Sequence, residues 1–180
     1  MAMRRDRDRH GRPPLDAEAL EQAALRYAGR YATTRSKLRA YLVRKVRERG
    51  WDGTAEPEFD ALVERMAALG YVDDRAFAAA RAASLGRRGY GERRVGEALR
   101  AAGIEDEDAA EARRTARDDA WNAALRFAER KKIGPFAPAE ADRAGRDKAL
   151  AAMLRAGHPV DLARKLATAR PGEIPDADGR

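Results

Sequence analysis

The sequence from residue 24 to residue 30 reads Ala24-Leu25-Arg26-Tyr27-Ala28-Gly29-Arg30, and from residue 124 to residue 130 it reads Ala124-Leu125-Arg126-Phe127-Ala128-Glu129-Arg130. A looser form of this alanine, aromatic and arginine pattern lies between them, at Ala76-Phe77-Ala78-Ala79-Ala80-Arg81-Ala82. Internal repetition is typical of architectures in which one small structural unit recurs along the chain. The spacing predicts three copies of a unit of roughly fifty residues.

Four predicted helices share one kind of ending, a glycine followed by a large or apolar residue. The four pairs are Gly50-Trp51, Gly70-Tyr71, Gly103-Ile104 and Gly157-His158. Glycine just past the last helical turn takes the left-handed conformation that closes a helix, and the next residue packs back on the final turn. The shared ending supports a repeat, although any alanine-rich helical protein produces some similar helix ends.

The composition limits how large a core each unit can bury. The chain has 37 Lys and Arg against 30 Asp and Glu, a formal net charge of +7, and 37% charged residues, whereas aromatic residues make up only 6%. The pI is near 10.0 and the mean hydropathy is -0.72. Because alanine is the usual apolar residue, we expect several modest helical bundles in series rather than one large core.

The sequence offers no constellation for covalent chemistry. It has no cysteine, and His10 and His158 are too few for a zinc cluster. The acidic run from Glu105 to Asp108 lacks the spacing of a calcium loop and fits the first turn of a helix. Asp73 and Asp74 are adjacent, which favours helix capping over paired acid and base catalysis. The sequence therefore predicts a protein that is not an enzyme and uses no metal, other cofactor or small-molecule substrate.

Targeting signals are also missing from the sequence. No run of about 18 apolar residues exists, and the charged N-terminus lacks the apolar centre of a secretory signal. We expect a cytoplasmic protein without a membrane partner. Residues 1–14 should form a disordered basic arm and residues 171–180 a disordered tail, because both are polar and rich in charge or proline.

Helical periodicity organises the remaining chain as an all-α fold of three tandem three-helix repeats, which would form an elongated, curved array. The repeats span residues 15–72, 73–116 and 117–170. Predicted helices begin near Asp16, after Thr34 and after Pro57, then run from Asp74 to Leu85, from Gly91 to Ala102, from Glu105 onwards, from Trp121 to Lys132, from Pro138 to Arg155 and from Pro159 to Ala169. Tyr71 and Phe77 are predicted to lie in the core.

Cationic side chains concentrate in three places on these helices. The first group is Arg35, Lys37, Arg44 and Arg47, the second is Arg81, Arg87, Arg88, Arg93 and Arg94, and the third is Arg126, Arg130, Lys131 and Lys132. A single cationic helix face is usually only a solvated surface. Three groups in related positions favour a long polyanionic or acidic partner, such as nucleic acid or a protein filament that carries it.

The central part of the chain resembles the RecX family of bacterial regulatory proteins. The resemblance is carried by Leu69-Gly70-Tyr71-Val72-Asp73-Asp74-Arg75-Ala76-Phe77-Ala78, by Gly89-Tyr90-Gly91-Glu92-Arg93-Arg94-Val95-Gly96-Glu97-Ala98-Leu99 and by Ala102-Gly103-Ile104. It covers about residues 18 to 168, more weakly towards the end, where Ala156 and His158 replace a basic and an aromatic residue. Its signature positions are Gly70, Tyr71, Asp73, Asp74, Phe77, Leu99 and Gly103.

The resemblance implies a function that composition alone does not. Such proteins are tandem three-helix repeats that bind along the groove of the RecA filament on DNA and inhibit its ATP hydrolysis, strand exchange and co-protease activity. Direct contact with DNA is expected to be weak and independent of sequence. Two alternatives stay open: a sequence-independent DNA or RNA-binding helical module without RecA specificity, and a helical scaffold for an unrelated protein.

Overall fold

The computed structural model describes residues 13–177, and within that range the chain forms nine α-helices. They are α1 Ala17–Arg30, α2 Arg35–Arg49, α3 Phe59–Ala68, α4 Asp74–Arg87, α5 Glu92–Ala101, α6 Asp106–Asp118, α7 Ala120–Lys131, α8 Arg143–Arg155 and α9 Val160–Thr168. A short 3-10 helix, Gly134–Phe136, lies between α7 and α8. Among these residues the only β-type pairing is one isolated bridge between Leu15 and Trp51. The prediction of an all-α fold is confirmed.

The helices α1 and α2 begin directly after the capping residues that the sequence predicts. The Asp16 side chain accepts a hydrogen bond from the Ala19 N–H at 2.8 Å, and the Thr34 hydroxyl accepts one from the Lys37 N–H at 3.2 Å. The predicted start of α8 at Pro138 is wrong, because Asp142 caps the Gly145 N–H at 2.8 Å and the helix begins only at Arg143. The segment before it contains the short 3-10 helix, followed by a bend and by chain without regular secondary structure.

The four helix-ending glycines have a positive φ, 85° at Gly50, 77° at Gly70, 71° at Gly103 and 92° at Gly157, but the ψ of 169° at Gly50 lies outside the left-handed helical region. The residue after each glycine does not always pack inward. The Tyr71 N–H closes α3 by donating to the Met66 carbonyl at 2.9 Å, but the Tyr71 side chain is 49% exposed. The prediction that Tyr71 lies in the core is therefore wrong, and the buried apolar residue at this helix end is Val72.

The chain divides into two compact units, one ending at Asp74 and the other beginning at Arg75. The core of the first unit is built from α1, α2 and α3 around the fully buried Leu38, Leu42 and Met66. The rings of Tyr27 and Tyr41 stack at its edge, with centroids 4.1 Å apart. The first unit thus has an apolar core of its own.

The second unit contains two apolar clusters, one around Val95 and Leu99 and one around Met153 and Leu166. Half-buried Tyr90 packs against both clusters and so joins them. Phe77, predicted to be in the core, is half-buried and packs against the first cluster.

The predicted repeat boundaries at 15–72, 73–116 and 117–170 stay a prediction. Of the predicted arm and tail, residues 1–12 and 178–180 lie outside the described range. The described end of the arm is bonded to the first unit, because the Pro13 carbonyl accepts hydrogen bonds from the Arg49 guanidinium at 3.0 and 2.6 Å. The start of the tail is bonded to the second unit, because the Gly172 N–H donates to the Pro135 carbonyl at 2.8 Å.

Candidate partner-binding surfaces

The first cationic group lies on α2 with the helical phase that the sequence predicts. Leu38 and Leu42 are fully buried, whereas Lys37, Arg44 and Arg47 are exposed. Arg44 is partly neutralised, with its Nε 3.6 Å from Glu48 Oε1, and its guanidinium lies 5.7 Å from the centroid of the Tyr41 ring. This surface is accessible to a partner, but its charge is partly compensated.

Arg35 belongs to the same cationic group in the sequence, but it is half-buried, whereas the other three members are exposed. Its side-chain Nε lies 3.3 Å from Glu64 Oε1, and its backbone N–H donates to Asp74 Oδ1 at 3.0 Å. The Asp74 side chain is buried, and this contact lies within the first unit. Nearby, the hydrogen bond from Arg39 to Asp60 lowers the pKa of the Asp60 carboxyl and raises that of Arg39. The geometry gives Arg35 a structural role.

The second group divides into paired and unpaired arginines. Arg93 Nη1 and Arg94 Nη1 each lie 3.1 Å from a carboxylate oxygen of Glu97. Arg93 also donates to the Leu154 carbonyl at the end of α8. Arg81 and Arg87 are exposed, and no ion pair within residues 13–177 involves either of them. Of these four arginines, Arg81 and Arg87 are therefore the more available to an external anion.

The turn between α4 and α5 packs directly against α7 and against the turn after α8, because Gly89 and Gly91 have no side chain. A Cβ at Gly89 would lie 2.6 Å from the Phe127 backbone nitrogen, and one at Gly91 would lie 2.3 Å from the Gly157 carbonyl oxygen. The Gly91 N–H donates to the Ala156 carbonyl at 3.0 Å. We call this contact the junction. It places the cations at the end of α4 next to those at the end of α7, and sequence periodicity does not predict that proximity.

His158 fills the same junction. Its side chain is buried, its Nε2 lies 3.1 Å from the Gly89 carbonyl oxygen, and its ring tilts against Phe127 with centroids 5.4 Å apart. Burial lowers the pKa of His158 to about 4, although the hydrogen bond to Gly89 opposes the shift. The imidazole is thus neutral near pH 7 and packs in place of the aromatic residue that the family resemblance implies.

The third group includes one cation that is used inside the fold. Arg126 is half-buried, and its guanidinium donates to the Gly86 carbonyl at 3.1 Å and to Asp119. Burial raises the pKa of Asp119, but hydrogen bonds from Asn122 and Arg126 outweigh it and the net shift is downward. We therefore assign Arg126 to joining α7 and α4 rather than to partner binding.

The remaining cations of this group are exposed at the end of α7. They are Arg130, Lys131 and Lys132, the last with a left-handed φ of 53°. The Arg130 guanidinium lies 5.7 Å from the centroid of the Tyr90 ring, and the Arg88 guanidinium lies 5.3 Å from the same ring. Arg130 also donates to the Arg88 carbonyl. One guanidinium from the end of α4 and one from the end of α7 thus both contact the Tyr90 ring.

Between residues 13 and 177 no three or more histidine, aspartate or glutamate side chains are grouped so as to hold a metal ion. None of the helices in that range combines the length and the apolar character needed to cross a bilayer.

Comparison with known proteins places the chain among named relatives. The family model "RecX, second three-helix domain" matches residues 73–112. Regulatory protein RecX of Myxococcus xanthus strain DK1622 is 34% identical over 160 residues, which cover 84% of this chain and 86% of that protein. The crystal structure of RecX from Lactobacillus salivarius matches with a TM-score of 0.62 at 17% identity, over 83% of this chain and 93% of that one.

The structural likeness confirms the fold, including its tandem three-helix repeats. Membership follows from the sequence, because the relative from Myxococcus xanthus aligns with most of both chains at 34% identity. The chain belongs to the RecX family of regulatory proteins.

Proposed function

We propose that this protein binds along the helical groove of a RecA filament on DNA and inhibits RecA ATP hydrolysis, strand exchange and co-protease activity. It acts by binding and catalyses no reaction of its own. The observation that carries the proposal is the 34% identity to a regulatory RecX protein over most of the chain. In this role it modulates recombination, DNA repair and the SOS response in the bacterial cytoplasm.

The distribution of exposed cations supports binding to an extended acidic partner. Arg47 on α2 is exposed in the first unit, and Arg81, Arg87 and Lys131 are exposed in the second. Contacts made by both units with one filament act as linked sites, so that their combined affinity exceeds that of either unit alone. One protein molecule would then contact more than one RecA protomer.

The test is RecA ATP hydrolysis on single-stranded DNA at physiological salt, with this protein titrated in at far less than one molecule per RecA. Inhibition at such ratios is the expected result, because a regulator that binds the filament acts on many protomers. Inhibition that begins only when the protein saturates the DNA itself would contradict the proposal.

The alternative is a sequence-independent DNA or RNA-binding module, and the unpaired cations of the second unit favour it as the second candidate. Binding through phosphates alone fades steeply with salt, because each contact releases counterions. Binding to RecA-coated DNA should persist at physiological ionic strength if RecA is recognised. Equal salt sensitivity on bare and RecA-coated DNA would favour the alternative.

A further inference from the structure

Five cations lie at the adjoining C-terminal ends of α4 and α7 in the second unit, and we call them the junction patch: Arg87, Arg88, Arg130, Lys131 and Lys132. We propose that the junction patch binds the phosphate backbone of a DNA strand. This inference rests on the proposed function and deepens it by assigning the DNA contact to one surface.

The patch is held together by backbone contacts rather than by chance proximity of long side chains. Gly89 lies against the backbone of Phe127 so closely that a Cβ would be 2.6 Å from the Phe127 nitrogen. Arg126 donates to the Gly86 carbonyl at 3.1 Å, and Arg130 donates to the Arg88 carbonyl. The backbone is therefore held against α7 on both sides of Arg87 and Arg88, at Gly86 and at Gly89.

The charge of the patch is not neutralised within the fold. Within residues 13–177 no carboxylate oxygen lies within 4.0 Å of a side-chain nitrogen of any of the five cations. By contrast, Arg44 is paired with Glu48, and Arg93 and Arg94 with Glu97. Like charges held close together repel one another, and a polyanion that neutralises them removes that repulsion.

The arrangement suits phosphates better than the surface of a protein. A nucleic acid strand presents one negative charge per nucleotide without interspersed cations, whereas a protein surface mixes both signs. Guanidinium groups bind phosphate oxygens in a forked geometry, and those of Arg88 and Arg130 are already ordered by contact with the Tyr90 ring. Among the described residues, the side chains of Arg87, Lys131 and Lys132 make no hydrogen bond, so they are available to an external anion.

The test compares two double variants that remove the same charge from the chain of 180 residues. The junction variant is Arg87→Gln with Lys131→Gln, and the control is Arg143→Gln with Arg164→Gln. All four side chains are exposed, and no ion pair in the described range involves them. Thermal melts by circular dichroism establish that both variants fold like the parent protein.

Binding is measured by fluorescence anisotropy with a labelled oligothymidylate, without RecA, at several salt concentrations. Loss of two phosphate contacts should flatten the slope of log K against log salt by about 1.4, since each contact to a single strand contributes about 0.7. Affinity at roughly 0.1 M salt should fall by about 25-fold on the same basis. The control variant should keep the parent slope.

Four outcomes would overturn the assignment: no DNA binding by the parent protein, a junction variant that binds DNA like the parent, equal weakening in both variants, or loss of RecA inhibition without loss of DNA binding. The last outcome would mean that the patch contacts RecA, and the proposed function would stand. RecA inhibition by the parent protein is measured separately, so that its absence overturns the proposed function and not the DNA site.

Discussion

At the scale of single residues, the most constrained positions are the glycines of the junction in the second unit. Gly91 and Gly157 come from different helix turns, and their backbones approach so closely that neither position has room for a methyl group. A Cβ at Gly157 would lie 2.5 Å from the Arg94 backbone nitrogen, and the φ of 92° already disfavours an L side chain. These glycines are required by packing as well as by turn geometry.

Replacing Gly91 with alanine should destabilise the second unit by about 1–3 kcal/mol, the usual cost of overpacking a tight contact. The reason is that the new methyl group would meet the backbone of residues 157 and 158, which cannot yield as a flexible side chain does. Thermal or urea unfolding followed by circular dichroism measures the change.

Gly86→Ala is the matched control, because Gly86 lies in α4 and a Cβ there would meet nothing within 4 Å. It should leave stability unchanged or raise it by up to about 1 kcal/mol, as alanine favours a helix more than glycine does. Equal loss in both variants would show that the junction is less tightly packed than described.

His158 should make the second unit sensitive to mild acid. Its pKa is about 4 in the folded protein, below the ordinary value of 6.5. The folded state binds the proton more weakly than the unfolded chain does. The contribution of the neutral imidazole to the free energy of unfolding is therefore complete above pH 6.5 and is lost as the pH falls towards about 4. It amounts to roughly 3 kcal/mol.

The measurement is the free energy of unfolding between pH 7 and pH 4 for the parent protein and for His158→Phe, which keeps an aromatic ring beside Phe127. The variant should lose less stability on acidification than the parent does. Parallel pH profiles would contradict the assignment of a buried neutral imidazole.

At the scale of helices, the start of α2 is secured by side chains near to it and far from it along the first unit. Thr34 caps the helix through its hydroxyl, and the buried carboxylate of Asp74 accepts the Arg35 N–H, one of the first N–H groups that a helix leaves without an internal partner. A negative charge at this end is also favoured by the helix dipole. Asp74, the last residue of the first unit, therefore stabilises the start of α2.

Asp74→Ala should cost the first unit about 1–3 kcal/mol, because it leaves the Arg35 N–H without this partner. The loss should appear in urea unfolding followed by circular dichroism. Asp60→Ala, which removes the exposed ion pair with Arg39, is the control and should have a much smaller effect. If the two variants lose the same stability, Asp74 is not the anchor of this helix start.

Helix identities and most helix ends could be predicted from sequence, because capping residues and terminal glycines act locally. The exceptions have local reasons too. The α8 helix begins after its capping residue Asp142 and not at Pro138. Tyr71 closes α3 through its backbone N–H while its ring stays exposed. The helical phase also predicted which face of α2 is exposed. It did not predict that Arg35 pairs with Glu64 or that Arg93 also donates to the Leu154 carbonyl, because these partners lie far along the chain.

At the scale of the whole molecule, the described chain consists of two compact units with separate apolar clusters. The second unit contains two clusters that share Tyr90, and its turns are joined by the bond from Gly91 to Ala156 and by the contact of His158 with Gly89. The two clusters should therefore unfold together.

Residues 75–180 produced as a separate polypeptide should retain helicity and melt in one cooperative transition, because they keep both clusters. Residues 119–180 should lose cooperativity, since they lack Tyr90 and the Gly89 carbonyl that His158 contacts. Circular dichroism melts compare the two fragments. A shorter fragment that melts as sharply as the longer one would show that α7, α8 and α9 fold without the junction.

The contact between Gly91 and Gly157 also limits how such a protein can diversify. Duplicated units can normally be exchanged, deleted or recombined one at a time, but here a substitution on one side of the contact constrains the residues allowed on the other. The helices from α4 to α9 should therefore be inherited as one block. Chimaeras between relatives should tolerate a crossover near residue 74 and fail when the crossover falls between α6 and α7.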